Sequence, residues 1–323
     1  MVSQGSLLVT LVKLVDRLSI PALPTKRGRG HPKVYPDRLF LKALVIMIVR
    51  HLHNVHELLS VLAQPTAEMQ QLCEILNEHR RFPARRTWER RLKAIPDTLP
   101  AQIGCLGWYL LDLIQPWTTN GRAVAIDSTT LRARGGVWHQ KHREKGELPH
   151  TSIDPEAHWT KSGWHGWKLH VVSVVAAVWF PIAAVLTPAN VADSEPAPAL
   201  LREVPAEVHF VLGDRHYNTP ELHENCDQAD RLLMTTKYGR YPHTDDGVEV
   251  RRIFHKLRSI AMEDFNEHFK GIFDGHGQVP TKGLIATQRF ALGAIFVYQL
   301  ALLYRFEHDL ELFVGLKAFL KTA

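Results

Sequence analysis

Apolar residues recur at three- and four-residue spacing through most of the first 120 positions. From Arg122 onward they gather instead into short β-branched and aromatic runs. The first texture predicts helices. A long periodic segment runs from Pro36 to about Leu62, with Leu39, Leu41, Leu44, Ile48, Leu52 and Leu59 as apolar contacts, and an apolar helix spans Ala101 to Ile114. The second texture predicts strands at Ala123–Asp127, Lys168–Val178, Ile182–Thr187, His209–Leu212 and Leu232–Thr236. Helices are expected at about Ser194–Val204 and Pro220–Ala229. The early strands are consecutive and the later ones alternate with helices, so the expected class is α/β, a mixed sheet covered by helices behind an all-helical N-terminal region. Between the first two strands lies a polar connection, Gly135 to Gly166, rich in His and Trp. A connection that long is either functional or disordered.

At 323 residues the chain has room for a large domain with a second, smaller one. Its net charge of +6 suits a polyanionic partner without demanding one. Cys73, Cys105 and Cys226 are scattered, which argues against a disulfide framework and a cysteine zinc site and points to reducing cytosol. The opening stretch is broken by Lys13 and Asp16 and has no basic leader, so no secretory signal is expected. The apolar run from Val171 to Leu186 is interrupted by Pro181 and reads as two buried strands, so no membrane association is expected.

Two basic segments stand out. Lys26 to Lys33 is Gly- and Pro-rich and suits either an arm on DNA or a solvated linker. Arg80 to Lys93 carries Arg85, Arg86, Arg90 and Arg91 around Trp88 and Leu92. It matches the recognition helix of a helix-turn-helix, placing arginines against phosphates and base edges, or else a solvated basic face.

Three acids carry the candidate chemistry. Asp127 follows the run Ala123–Ile126, Asp214 follows Val208–Leu212, and Glu263 shares a helix face with Ile260, Glu267 and Lys270. The first two are expected at strand ends facing a crevice, although each also suits a turn or a helix cap. Mg²⁺ prefers hard oxygen ligands and is often held by one or two carboxylates, so three acids can serve two ions. Two ions about 3.5 to 4 Å apart can activate an attacking oxygen and stabilise the leaving one in phosphodiester cleavage. Asp193 suits a place near the sheet edge or, more commonly for an Asp before a helical segment, a helix cap; Lys168 and His170 suit DNA contact or a solvent face, and Lys270 also suits a surface pair with Glu263 or Glu267.

AIDST around Asp127, GWHGWKLH, TPANVADS, LGDRHYN around Asp214 and the segment from Val279 to Arg305 together resemble the DDE transposases of bacterial insertion sequences, in the branch with a ribonuclease H-like catalytic domain. The resemblance covers about residues 120 to 307 well and the helical amino-terminal part more loosely. It implies a ribonuclease H-like mixed sheet flanked by helices, divided as a DNA-binding and dimerisation region over 1–120, a catalytic domain over 121–310 and a tail over 311–323. It also implies Mg²⁺, with Mn²⁺ substituting, held by Asp127, Asp214 and Glu263. Double-stranded DNA, as terminal inverted repeats and target, would be the partner of a homodimer on paired ends, cytoplasmic and nucleoid-associated. In the family an arginine precedes the third carboxylate and a lysine follows seven residues after it, matched here by Arg258 and Lys270. The family's arginine spacing is one residue tighter, and its upstream aromatic residue is not plain here. Glu267 is the alternative third acid. A nuclease without strand transfer and a catalytically inactive DNA-binding regulator are the alternative functions.

Overall fold

The computed structural model describes residues 6–19, 34–117, 122–235, 245–273 and 275–322. The basic stretch from Lys26 to Lys33 and Thr236 lie outside the described residues. In chain order the first elements are α1 (Leu7–Leu14), α2 (Asp37–Val49), α3 (Val55–Leu62), α4 (Ala67–Ile75), α5 (Arg85–Ala94) and α6 (Leu99–Ile114). They are followed by β1 (Ala123–Arg132), α7 (Gln140–Glu144), β2 (His158–Trp159), β3 (His165–Val175), β4 (Pro181–Pro188), α8 (Ala197–Arg202), β5 (Phe210–Gly213), α9 (Pro220–Asp227) and β6 (Leu232–Thr235). Last come α10 (Asp245–Arg258), a π-helical turn (Ser259–Asp264), α11 (Phe265–Ile272), α12 (Leu284–Glu307) and α13 (Leu316–Thr322).

These elements form two compact units, residues 1–106 with 285–323 and residues 107–284. The division differs from the expected boundaries at 120 and 310 because apolar packing draws α12 to the amino-terminal helices. Within this helical unit a side chain at Gly293 of α12 would press on Leu44 and Ile48 of α2, and Gln299 donates to the Ile103 carbonyl of α6. α12 is long and apolar enough to cross a membrane, yet 67% of its apolar window is buried, as in a core helix. The expected single helix from Pro36 to Leu62 is two, broken where His51 takes a positive φ and Asn54 caps α3. The expected tail is partly helical: Arg305 binds the carbonyls of Glu311 and Val314, and Leu316 and Leu320 of α13 are buried. Trp88 and Leu92 of α5 are fully buried, Trp88 edge-on to Phe40 at 5.1 Å.

The second unit holds one mixed sheet. β1, β3 and β4 are antiparallel neighbours, while β5 lies parallel to β1 and β6 parallel to β5. Apart from the short β2 on the edge of β3, the order is β4-β3-β1-β5-β6. This is a ribonuclease H-like arrangement, with helices completing the fold. β1 is a continuous buried apolar run over Ala123–Ile126, and β3 is buried along nearly its whole length, because both faces of these segments are covered. The connection over 135–166 is ordered. Asp154, fully buried, accepts from the backbone N–H groups of Glu156 and Gly283, and Glu156 accepts from that of Leu284.

Candidate active site on the sheet

β1 runs five residues past its expected end, so Asp127 lies within the strand and not at its end. Its crevice has another origin. The parallel pairing of β1 with β5 stops at Ala125–Leu212, while pairing with β3 continues to Arg132. Asp127 stands two residues beyond that last parallel pair on β1, and Asp214 two residues beyond it on β5. Strand alternation therefore places both acids level at the rim where one neighbour of β1 has ended. Asp214 also starts a 3₁₀ turn, its carboxylate accepting the backbone N–H of His216 at 2.8 Å.

The third acid arrives from the helices. Arg258 ends α10, and its guanidinium donates to Asp127 Oδ2 at 3.2 Å and to Glu263 Oε1 at 3.0 Å. Ser259 Oγ donates to Glu263 Oε2 at 2.8 Å. Five residues separate Arg258 from Glu263, too many to share a face of an α-helix. The π turn over Ser259–Asp264 widens the helix and absorbs the extra residue. The relaxed arginine spacing in the sequence and this wide turn are one feature seen twice. Lys270 on α11 is half-buried. Burial lowers its ammonium pKa against the opposing charges of Glu267 and Asp127, which places it within electrostatic reach of the site. Glu267 is exposed and lies 3.8 Å from His276.

Burial pushes the Asp127 carboxyl up to about 6. The Arg258 guanidinium and the Ser128 N–H oppose this, while the charges of Asp214 and Asp193 add to it. Asp193 joins the site and does not cap a helix. Its Oδ1 accepts from Ser128 Oγ at 2.7 Å and from Lys168 Nζ at 2.9 Å. Burial raises the Asp193 carboxyl, but these two hydrogen bonds and the charges of Lys168 and His170 together outweigh it and hold the group below its ordinary value. Lys168 is largely buried and also donates to the Val191 carbonyl, so it does not face solvent. His170 is fully buried against Thr187, and burial depresses its imidazole to about 4 despite the Asp193 charge, with the Lys168 charge adding to the depression. Tyr217, three residues after Asp214, is buried, and its hydroxyl has no partner among the described residues. Tyr217 belongs to the LGDRHYN motif, but the sequence singles out only Asp214 there, and the burial of the tyrosine hydroxyl is visible only in the structure.

Among the described residues no group of three or more His, Cys, Asp or Glu side chains is close enough to hold one metal ion. Asp127 and Glu263 meet through Arg258, whose charge stands between them as a cation would. The donor set is hard oxygen, which suits Mg²⁺ or Mn²⁺.

Of the basic residues expected on DNA, Arg86 and Arg90 of α5 are exposed. Arg85 pairs with Glu89 at 2.8 Å, and Arg91 pairs with Asp37 while its guanidinium lies 4.6 Å from the Phe40 ring. Of the tryptophans in and next to the long connection, Trp167 on β3 is fully buried, Trp159 donates to the Trp138 carbonyl, and Trp164 is partly exposed beside Arg132.

Residues 118–300, more than half of the chain, match the family model described as the transposase DDE domain. The chain belongs to the DDE transposases. Among solved structures this transposase is similar to the piggyBac transposase synaptic complex with hairpin DNA, at 10% identity and a TM-score of 0.43 over 97% of this chain and 76% of that one. It is similar also to the Mos1 transposase paired-end complex with left transposon end, at 14% identity and a TM-score of 0.23 over 90% and 84% of the two chains. A pre-cleavage Mos1 transpososome aligns at 11% identity and a TM-score of 0.21 over 86% and 80%. The search of curated proteins gave no match.

Proposed function

We propose that this DDE transposase is a metal-dependent enzyme of a bacterial insertion sequence, which cleaves DNA at the element's ends and joins the freed 3′-hydroxyl to target DNA as a dimer on paired ends. The observation that carries the proposal is the convergence on Arg258: one guanidinium, on a π-widened turn, holds a carboxylate of the central strand and a carboxylate of the helix together. Asp214 stands level with Asp127 on the neighbouring strand.

On this proposal Asp127, Asp214 and Glu263 are the residues that would hold Mg²⁺, or Mn²⁺ in its place. The bound ions would supply activation of the attacking oxygen and stabilisation of the leaving oxygen. The protein's own contribution is positioning. Asp127 is fixed by strand pairing and by the Ser128 N–H, and Glu263 by Ser259. Lys270 contributes a positive charge for a phosphate beside the scissile bond, and Arg258 turns to DNA phosphate once its carboxylates have another cation. Arg86 and Arg90, with Arg85 and Arg91 beside them, supply binding to the terminal repeat through phosphate contacts.

The test is cleavage of a labelled duplex carrying the element's inverted repeat, with Mg²⁺, with EDTA, and with Asp214→Ala. Metal-dependent nicking at the repeat boundary that disappears in the variant supports the proposal. Specific binding without nicking in any condition refutes it and leaves a DNA-binding regulator.

A further inference from the structure

We propose that Tyr217 is a positioning residue of the acidic site, its buried phenol hydroxyl standing ready to donate a hydrogen bond to a ligand oxygen bound beside Asp127 and Asp214. The inference rests on the metal-dependent reading above and adds to it a residue outside the acidic trio and its basic partners.

Three observations converge on this ring. The first is its anchorage. Asp214 opens the 3₁₀ turn that contains Tyr217, the Tyr217 N–H bonds to the Asp214 carbonyl at 3.2 Å, and a side chain at Gly213 would stand 3.0 Å from the tyrosine Cβ. The position of the ring is thus tied to the backbone that carries the second acid. The second is the hydroxyl itself. Tyr217 is only 1% exposed, and its hydroxyl oxygen is buried with no partner among the described residues. A buried, unsatisfied phenol is destabilising, and such groups persist mainly where a ligand or an ordered water completes them. The third is its surroundings. Burial raises the phenol's pKa well above its ordinary value, and the negative charges of Asp127, Asp193 and Asp214 raise it further, against Arg258. A phenol is a protonated donor at neutral pH in any case, and this one lies within electrostatic reach of three carboxylates. Outer partners of this kind orient the groups that hold a metal, and their loss typically weakens metal binding roughly ten- to a hundredfold.

Tyr217→Phe removes the hydroxyl and keeps the packed ring, so a purely structural role for the ring leaves this variant unaffected. The probe is Mn²⁺ alone, titrated calorimetrically into the DNA-free protein at near-neutral pH. Single-turnover end cleavage, the DNA dissociation constant and the melting temperature are measured alongside. The expected result is Mn²⁺ binding about tenfold weaker and slower cleavage of bound DNA, with DNA affinity and melting temperature unchanged. Wild-type Mn²⁺ affinity in the variant overturns the proposal, as does a parallel loss of melting temperature and DNA affinity, or an absence of Mn²⁺ binding by the wild-type protein. If the wild-type protein binds Mn²⁺ and Tyr217→Phe weakens that binding, but neither protein nicks a terminal repeat, the cleavage function fails while the assignment of Tyr217 stands.

Discussion

Asp127→Asn in metal-free buffer stabilises the catalytic unit at neutral pH, although it removes a residue central to the proposed chemistry. The rise of the Asp127 carboxyl from 3.8 to about 6 is driven first by burial, and the side chain is only 17% exposed, so little solvent screening applies. At 1.36 kcal/mol per pH unit this difference corresponds to roughly 3 kcal/mol by which the charged carboxylate destabilises the native state. The sign follows from proton counting. Between the unfolded and folded pKa values the native state holds more protons than the unfolded chain, so stability falls as pH rises through that window. The penalty is absent below about pH 4 and complete above about pH 7. Asparagine mimics the neutral acid and removes it. His170 acts in the opposite sense, because a depressed imidazole stabilises the native state above its unfolded pKa of 6.5 and loses that contribution as pH falls toward 4. The two effects overlap and partly cancel in the wild-type protein, so the difference between variant and wild type is the informative quantity. Urea denaturation in EDTA, followed by tryptophan fluorescence, reads the right unit, since of the eight tryptophans only Trp88 lies outside residues 107–284. The expected difference grows from near zero at pH 4 to about 3 kcal/mol at pH 8. A difference that is flat with pH, or a variant less stable at pH 8, refutes the argument that burial of Asp127 sets its pKa.

Replacing Arg86 and Arg90 together with Ala should weaken DNA binding and lower the slope of log affinity against log salt by about 0.9 per lost phosphate contact. Arg91→Ala, which loses the Asp37 pair and the Phe40 contact, should instead lower stability by about 1 kcal/mol; anisotropy titrations at several salt concentrations beside thermal melts separate the two, and the reverse pattern refutes the assignment. Lys168→Met leaves the Asp193 carboxylate without its ammonium partner and should destabilise the catalytic unit by roughly 3 kcal/mol at pH 7.5. The loss should shrink on acidification, because the held-down Asp193 carboxyl contributes above its unfolded pKa and stops contributing as pH falls through its folded one. Adding Asp193→Asn should recover most of it, and a double variant no more stable than Lys168→Met alone would show that the pair is not what matters. Gly166→Ala should sharply lower soluble yield and melting temperature, because its Cβ would lie 2.1 Å from the Leu131 carbonyl oxygen; a wild-type melting temperature would show that the β1–β3 pairing yields easily.

The sequence by itself determined most of the elements and brought out the candidate acids. β-branched runs marked the central strands to within a few residues, Trp88 and Leu92 marked the inner face of α5, and Asp127, Asp214, Arg258 and Glu263 were all visible as candidates. These features are local: side-chain alternation and helical spacing are set by the backbone, whatever packs against it. Tertiary structure decided the rest. The length of β1 depended on β3, which continues to pair after β5 has ended, and that mismatch makes the rim where Asp127 and Asp214 stand level. The extra residue between Arg258 and Glu263 became legible only as a π turn. For Lys168 and His170 the sequence left DNA contact or a solvent face open, and for Asp193 the sheet edge or a cap, until the β1–β3–β4 register buried them in one cluster. Tyr217 stood in the LGDRHYN motif without a role, because a hydroxyl's lack of a partner is a property of its surroundings. The same holds for α12, whose apolar run suits a membrane equally well. Only its packing on α2 and α6 shows which apolar medium it occupies, since hydrophobic burial is non-directional and fixes that a surface is covered, not what covers it.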